Sequence, residues 1–578
     1  MCGIIGITGN KVNPEKAINM LSRLDYRGYD SAGIALNTGE RVEIEKGKGK
    51  IQQAINKEKL PNRSEVALSH TRWSTHGEPS QENAHPHTDC EGEIAVVHNG
   101  IIHNHDELKE KLEKKGHEFC SDTDTEVIPH LIEERLNGRE KNRKEVLKTI
   151  KKVKEQIKGE YAVVVSLKGR KELYGFKKDS PLCIGINPDG EENYFSSDIY
   201  SFSHLTNQSI ALEDGEKALI TPKGYQIYNG SLQKINRQPE KFEWNQEKTN
   251  KEEEHHMLSE IKEQPEAVKR LLKKQNEEGL GRLTQLIKNH ERTVLTASGT
   301  SYHASLLGAH LLQDAGRETQ AIIASEYQNY IKPGEKTLTI GVSQSGETMD
   351  VVKALKHAEQ RNSTTSSIVN VPKTTIPRKT QHSVKIHAGQ EIAVASTKTF
   401  TNQVTTFARI SNQLGEQKNI KKLPIKIEKT INKNEETIKD LSKQLKEEKH
   451  IYIIGEGPTY PIAREIALKL KEIPYIHAEG MMGGELKHGT LALIENNTPV
   501  ISLRTNDKML KTEEEIRSKG AKIIPISTET ELEIPEGNKI EKALCTNTIG
   551  QLLSYYTAKE RNCPIDRPRN LAKAVTVQ

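Results

Sequence analysis

Met1-Cys2-Gly3-Ile4-Ile5-Gly6 opens the chain, and its reading decides what the first half of the molecule is. Cysteine at position 2 is small enough for the initiator methionine to be trimmed, which leaves a thiol and a free α-amine on one residue. An α-amine titrates at roughly pKa 7.7–8.0, so it can take the thiol proton directly or through a water. Cys2 is therefore a candidate nucleophile that carries its own base. The competing reading is a small apolar residue opening a buried edge strand, a common fate of free cysteine. Six residues do not choose between them.

Working outward, Cys2–Ile7 reads as a strand and Pro14–Leu24 as a helix capped by Asn13. The polar, glycine-punctuated run Tyr26-Arg27-Gly28-Tyr29-Asp30-Ser31-Ala32-Gly33 reads as a loop able to hold functional side chains. Ser69-His70-Thr71-Arg72-Trp73-Ser74-Thr75-His76-Gly77 follows, then an apolar strand Ile94–His98 that stops at Asn99-Gly100. Asn-Gly at a strand end is ordinarily a turn. It also sets an amide side chain beside an unobstructed backbone N–H, which a developing oxyanion requires. Ser121-Asp122-Thr123-Asp124-Thr125-Glu126 precedes a helical pattern over Val127–Leu136. Its ordinary reading is an N-cap with acids in the first turn, and that leaves Asp124 available to an ammonium group. Histidines 70, 76, 85, 87, 98, 103 and 105 follow no zinc-ligand spacing, and no metal is expected from them.

Cys2, Arg72-Trp73, Asn99-Gly100 and Asp124 together resemble the class II glutamine amidotransferases of the N-terminal nucleophile type. The resemblance implies a four-layer αββα sandwich. Cys2 would attack the glutamine amide, Asn99 and Gly100 would form the oxyanion hole, and Arg72 and Asp124 would clamp the α-carboxylate and α-ammonium. Trp73, Thr75 and His76 join the glutamine-binding residues on the same ground. Trp73 reads either as a gate for released ammonia or as a core ring.

The 578 residues suggest roughly three to four domains. With 85 basic against 80 acidic residues the net charge is +5, which makes no electrostatic case for nucleic acid. Six scattered cysteines without C-x-x-C spacing indicate neither a disulfide framework nor a zinc site and suit a reducing compartment. No apolar run reaches the roughly 18–20 residues that span a bilayer, and no secretory pattern precedes Cys2, so a cytoplasmic protein is expected.

The amidotransferase-like domain is assigned to 2–237 and a charged linker to 238–255. Beyond it the order strand, glycine turn, helix, strand ending at Glu, helix, strand occurs twice. The first copy has strands at Thr293–Ala297, Ala321–Ser325 and Leu338–Val342, and the second at His450–Ile454, Pro474–Ala478 and Pro499–Leu503. Such alternation implies parallel sheets covered by helices, and the repeat implies duplication. Only the first copy follows its third strand with a hydroxyl-rich loop, Ser343-Gln344-Ser345-Gly346-Glu347-Thr348, which reads equally as a phosphate cradle and as helix capping. Glu465, Lys469 and Glu472 share one face of a helix flanked by Ala467, Leu468, Leu470 and Ile473. Gly483-Gly484-Glu485-Leu486-Lys487-His488-Gly489 carries a histidine, and the tail Asp566–Gln578 carries Lys573, a candidate imine former.

With Val394-Ala395-Ser396-Thr397-Lys398, these motifs resemble the paired sugar isomerase (SIS) domains of glutamine-dependent ketose-phosphate aminotransferases. The resemblance places the domains at 256–430 and 431–565 and a catalytic tail at 566–578. It implies that Thr300, Ser301, Ser343, Gln344, Ser345 and Thr348 hold a sugar phosphate and that Val394, Ser396 and Ala572 line the sugar. Lys573 would form the imine, Glu472 would move the proton between C1 and C2, and Lys469 would assist. His488 would act in ring opening from the neighbouring subunit of a homodimer. The implied substrates are L-glutamine and fructose 6-phosphate, with no cofactor. A different keto-sugar phosphate as acceptor, or a sugar-phosphate sensor without turnover, are the alternatives.

Overall fold

The computed structural model describes residues 2–573 except 26–27, 74–75, 138, 189, 243–252, 275–276, 417–418 and 505–507. The chain divides into two compact units, residues 1–246 with 574–578, and 247–573.

In the first unit an eight-stranded and a seven-stranded sheet, antiparallel in their pairings, lie face to face. Ile4, Leu68, Val97, Val164, Phe195 and Ile220 form the apolar layer between them. Helix Pro14–Ser22 covers the outer face of the first sheet, where Ile18 and Leu21 meet Ile5 and Ile34. Helices His105–Glu113, Val127–Leu136 and Arg143–Gln156 cover the second through Leu108, Ile128, Ile132 and Ile150. The outcome is the expected αββα sandwich, because each sheet buries both faces.

The strand opened by Cys2 runs Gly3–Val12 and sits inside its sheet, between Glu192–Ser196 and Ser64–Arg72. Pairing of Gly3 with Thr71 brings Cys2 level with Arg72 and Trp73. The second sheet corrects one expectation: the strand Ile94–Ile102 does not stop at Asn99-Gly100 but runs through both, pairing Gly100 with Tyr161. Gly100 holds φ +132, and a Cβ there would stand 1.9 Å from the Glu160 carbonyl oxygen, so glycine lets the two backbones close.

The second unit contains two five-stranded parallel sheets. One uses Arg292–Ala297, Thr319–Ile323, Thr337–Ser343, Thr364–Val369 and His382–Lys385, and the other His450–Gly455, His477–Met482, Pro499–Leu503, Lys522–Ser527 and Leu532–Glu533. In both the spatial order of the strands is second, first, third, fourth, fifth, so the duplication extends to topology. The strand expected at Pro474–Ala478 instead spans His477–Met482. Tyr475 takes φ +58 and the Ile476 N–H bonds back to the Leu470 carbonyl, which assigns 474–476 to the exit of the preceding helix. Helices Leu423–Leu445 and Lys539–Glu560 lie deep in the unit, and Ile427, Ile438, Leu544 and Leu552 belong to a core shared by both copies. Among the described residues no helix is long and apolar enough to cross a membrane.

Candidate functional site

In the first unit the Trp73 N–H donates to Cys2 Sγ at 3.2 Å. Asn99 Nδ2 donates to the Cys2 carbonyl at 2.9 Å, and the second hydrogen of that amide remains for an oxyanion. The amide is oriented by His70, whose Nε2 lies 3.0 Å from both Asn99 Oδ1 and the His98 carbonyl. Two oxygen acceptors require Nε2 to carry the proton. Burial, above all, drives the His70 pKa down to about 3, so the ring is a neutral donor near pH 7. The pKa of His85, whose ring lies tilted against His70 at 4.1 Å between centroids, is likewise held far below its usual value by burial and then by His70. His70 thus fixes the Asn99 amide, a role that spacing along the sequence gave no means to find.

Arg72 is buried at the end of its strand, and its Nη2 donates to the carbonyls of His76 and Gly77. Its Nη1 is also buried and has no hydrogen-bond partner among the described residues, an orphan donor suited to a substrate carboxylate. Burial lowers the Arg72 pKa, while Cys2 and Asp124 oppose that shift and so lie within electrostatic reach. Asp124 Oδ2 accepts the Ile102 N–H at 2.7 Å, which ties it to the strand bearing Asn99 and Gly100. The expected N-cap bond is not made: Glu126 precedes the helix and turns its carboxylate back to the N–H groups of Cys120 and Ser121. Cys2, Arg72, Asn99, Gly100 and Asp124 therefore belong to one connected set. His76 joins it through its carbonyl, and its ring meets His105 edge to face. Trp73 joins through its N–H and sets its ring against Tyr29. Thr75 lies outside the described residues.

In the second unit the loops after Arg292–Ala297 and Thr337–Ser343 flank the point where strand order reverses, the usual ligand crevice of an open parallel sheet. Ser343 Oγ and Thr348 Oγ1 lie 2.9 Å apart, Gly346 N–H donates to Ser343 Oγ, and Glu347 N–H to Ser345 Oγ. Gly346 takes φ +70, and a Cβ on it would stand 1.9 Å from Thr374 Oγ1. Thr348 precedes helix Met349–Gln360 without capping it through its side chain, so the positive end of the helix dipole lies at this loop. Gln344, in the same loop, is half-buried.

Thr300 turns toward the second copy. Its hydroxyl donates to Glu465 Oε1 and accepts from Lys469 Nζ, each at 2.9 Å. Ser301 Oγ accepts from Gln403 Nε2. Lys469, fully buried, also meets Glu472 Oε2 at 2.5 Å and Glu465 Oε1 at 3.2 Å. Burial opposes its charge, but the two carboxylates outweigh burial and raise its pKa. Glu472, 20% exposed against 0% for Glu465, is the acid of this set with solvent access, as proton transfer to a ligand requires.

Lys573 Nζ is held by Glu391 Oε2 at 2.7 Å and the Ala393 carbonyl at 2.8 Å. Glu391 also accepts the Ser396 hydroxyl and the N–H groups of Thr397 and Thr399. Burial pushes its pKa up, yet Lys573 and these donors bring it down to about 2. Val394 and Ser396 are half-buried on the same segment, and Ala572 adjoins Lys573. Sequence reading missed Glu391, a lone acid between Gln390 and the apolar Ile392-Ala393, just before the Val394–Lys398 motif. His488 lies exposed on the turn Glu485–His488 and makes no hydrogen bond or ion pair with Lys469, Glu472 or Lys573.

A glutamine amidotransferase domain profile matches residues 70–204, and a SIS domain profile matches 285–409 and 444–557. Over the full length of both chains the sequence is 40% identical to a glutamine–fructose-6-phosphate aminotransferase (isomerizing) from Aquifex aeolicus and 38% identical to one from Thermococcus kodakarensis. The solved C-terminal domain of a glucosamine-fructose-6-phosphate aminotransferase from Francisella tularensis superposes with a TM-score of 0.50 at 31% identity, covering 55% of this chain and 99% of that one. The chain belongs to the isomerizing glutamine–fructose-6-phosphate aminotransferase family.

Proposed function

We infer that the chain transfers the amide nitrogen of L-glutamine to D-fructose 6-phosphate with isomerisation, giving D-glucosamine 6-phosphate and L-glutamate. The observation that carries this reading is the Lys573–Glu391 pair, an amine stored on a buried carboxylate, in a chain whose other unit assembles a thiol, an oriented amide and an orphan arginine donor.

With Met1 removed, the Cys2 α-amine takes the thiol proton and Sγ attacks the glutamine amide carbon. Asn99 Nδ2 and the Gly100 N–H receive the oxyanion while Arg72 and Asp124 hold the amino-acid end. Ammonia leaves, and water releases glutamate from the thioester. In the second unit the Ser343–Thr348 loop and Ser301 hold the phosphate, and Thr300 links it to Lys469. Lys573 condenses with the C2 carbonyl and loses water; ammonia then displaces the lysine, leaving nitrogen on C2. Glu472 takes a proton from C1 and returns one to C2, which yields the C1 aldehyde and the C2 amine. His488 of the partner subunit opens the ring in a homodimer, a reading supported by its exposure and by Met482 and Leu493 exposed nearby in sequence, at 51% and 62%. The enzyme works in the cytoplasm.

The test supplies glutamine and fructose 6-phosphate together and reads products and the protein N-terminus by mass spectrometry. Glucosamine 6-phosphate and glutamate, on a chain starting at Cys2, are expected. Glutamate without amino sugar would overturn the acceptor. Lys573→Ala should lose the amino sugar while retaining glutaminase activity; unchanged amino-sugar output would remove the imine step.

A further inference from the structure

Away from Cys2, four potential metal ligands of the first unit converge from three rigid elements. Cys90 stands on the turn Asp89–Gly92, closed by the Gly92 N–H on the Asp89 carbonyl and braced by Asp89 Oδ1, which accepts the N–H groups of Glu93 and Ile94 at 2.8 Å each. His117 follows Gly116 at the end of helix His105–Glu113, where its N–H returns to the Leu112 carbonyl. His130 and Glu133 share one face of helix Val127–Leu136 at i, i+3. The four ligand atoms all lie within 4.8 Å of one another.

The spacings have the size of a coordination sphere. Cys90 Sγ is 3.7 Å from His117 Nδ1 and 3.6 Å from His130 Nδ1, and Glu133 Oε2 is 3.0 and 3.3 Å from the same two nitrogens. Ligand bonds of about 2.3 Å to sulfur and about 2.0–2.1 Å to nitrogen and oxygen, at tetrahedral angles, set the S···N edge at about 3.5–3.6 Å and the N···O edge at about 3.3 Å. His117 Nε2 lies 3.3 Å from Glu134 Oε2, and the buried His130 Nε2, which makes no hydrogen bond, lies 3.9 Å from Glu126 Oε1. The carboxylate behind His117 is the arrangement that orients a metal-bound histidine. Glu126 in turn anchors Cys120 and Ser121, at the start of the segment that carries Asp124.

We propose that Cys90, His117, His130 and Glu133 form a tetrahedral site for a thiophilic divalent cation, Zn²⁺ first among them, that fastens the turn at Cys90 to the helix behind Asp124. A thiolate, two imidazoles and one carboxylate leave no open position, so the ion is structural. C-x-x-C spacing gives no sign of this site, because the ligands stand at 90, 117, 130 and 133.

The test uses the full chain, stripped by a chelator and titrated with Zn²⁺ against a chromophoric competitor, then with Co²⁺ alone. One ion per chain is expected, with a sulfur-to-cobalt charge-transfer band and strong visible bands of a tetrahedral centre. Cys90→Ser, at an exposed position, and His117→Gln should each weaken Zn²⁺ binding by about 100-fold or more. Cys120→Ser and Cys2→Ala should keep the ion. Absence of a stoichiometric ion in the wild-type chain, unchanged affinity in Cys90→Ser and His117→Gln, or loss of the ion in Cys2→Ala would each overturn the site.

Discussion

The two halves of the second unit share a strand order and have divided the chemistry between them. In the first copy the polar groups sit in loops: Ser343–Thr348 follows the third strand and leads into the next helix, which Thr348 does not cap with its side chain. In the second copy the third strand leads to Arg504, whose charge is spent on Glu513, and the polar groups sit instead on the helix after the first strand, Thr459–Glu472. The equivalent helix of the first copy, Gly299–Asp314, faces it: Thr300 and His303 meet Glu465, and Lys469 returns to Thr300. Duplication supplied two matching helices, and their contact became a buried charge network. One copy gathers backbone and hydroxyl donors in a loop, and the other holds ions that shift one another's proton affinity.

The largest effect should come from breaking that network. Lys469→Ala leaves Glu465 fully buried without its cation, and removing one partner of a buried ion pair costs about 3–5 kcal/mol. Its urea midpoint should fall accordingly, and amino-sugar formation should drop by about 100-fold or more, since proton transfer through Glu472 loses its neighbour. Lys469→Met with Glu465→Leu should recover much of the stability and none of the product. Recovery of product would reduce Lys469 to a packing role.

Next comes a contrast between buried carboxylates. Glu465 is held below its usual pKa by Lys469 against the pull of burial, whereas Glu260, beside the Glu391 segment, is pushed up to about 8 by burial and then by Glu391. Between about pH 4.5 and 8 the folded chain therefore keeps a proton on Glu260 that the unfolded chain has released. Stability falls as pH rises through that window, by on the order of 5 kcal/mol. Glu391 acts in the opposite sense and lower down, losing its contribution as pH falls toward about 2. Glu260→Gln should flatten the decline between pH 5 and 8 in urea titrations; an unchanged slope would place the proton elsewhere.

The division was only partly legible in the sequence. Repeated strand, turn and helix signals are local, so both sheets could be anticipated, and the hydroxyl loop stood out because glycine and serine cluster there. Glu391 did not, because its meaning depends on Lys573, 182 positions away. His70 was likewise one histidine in a row until the fold set it under Asn99. The misplaced start at Pro474 has a simpler origin: proline suggests a break before a strand, while the left-handed Tyr475 extends the helix exit by two further residues.

The anion loop yields a smaller effect. Gly346→Ala forces a left-handed alanine against Thr374, at a cost of about 1–3 kcal/mol. Expressed in binding, this is about a tenfold or greater rise in the KM for fructose 6-phosphate, with glutaminase turnover in the first unit unchanged. Thr374→Ala should return part of the loss. An unchanged KM would detach this loop from the phosphate.

The smallest effect compares one hydroxyl in each copy at the first turn after the first strand. Thr459 Oγ1 closes its turn on itself, accepting the Glu456 N–H and donating to the Glu456 carbonyl, both at 2.9 Å. Ser298 Oγ, at the N-cap of the matching helix, is buried with no partner among the described residues and makes no capping bond. Thr459→Val should then cost about 1 kcal/mol, the worth of a satisfied hydrogen bond. Ser298→Ala should leave the stability of the free protein within about 0.5 kcal/mol, because it removes a group whose desolvation is already unpaid. It should nevertheless weaken fructose 6-phosphate binding, since an unmatched hydroxyl beside a ligand crevice finds its partner only when the ligand arrives. Equal stability losses in the two variants would mean that the copies never diverged at this turn.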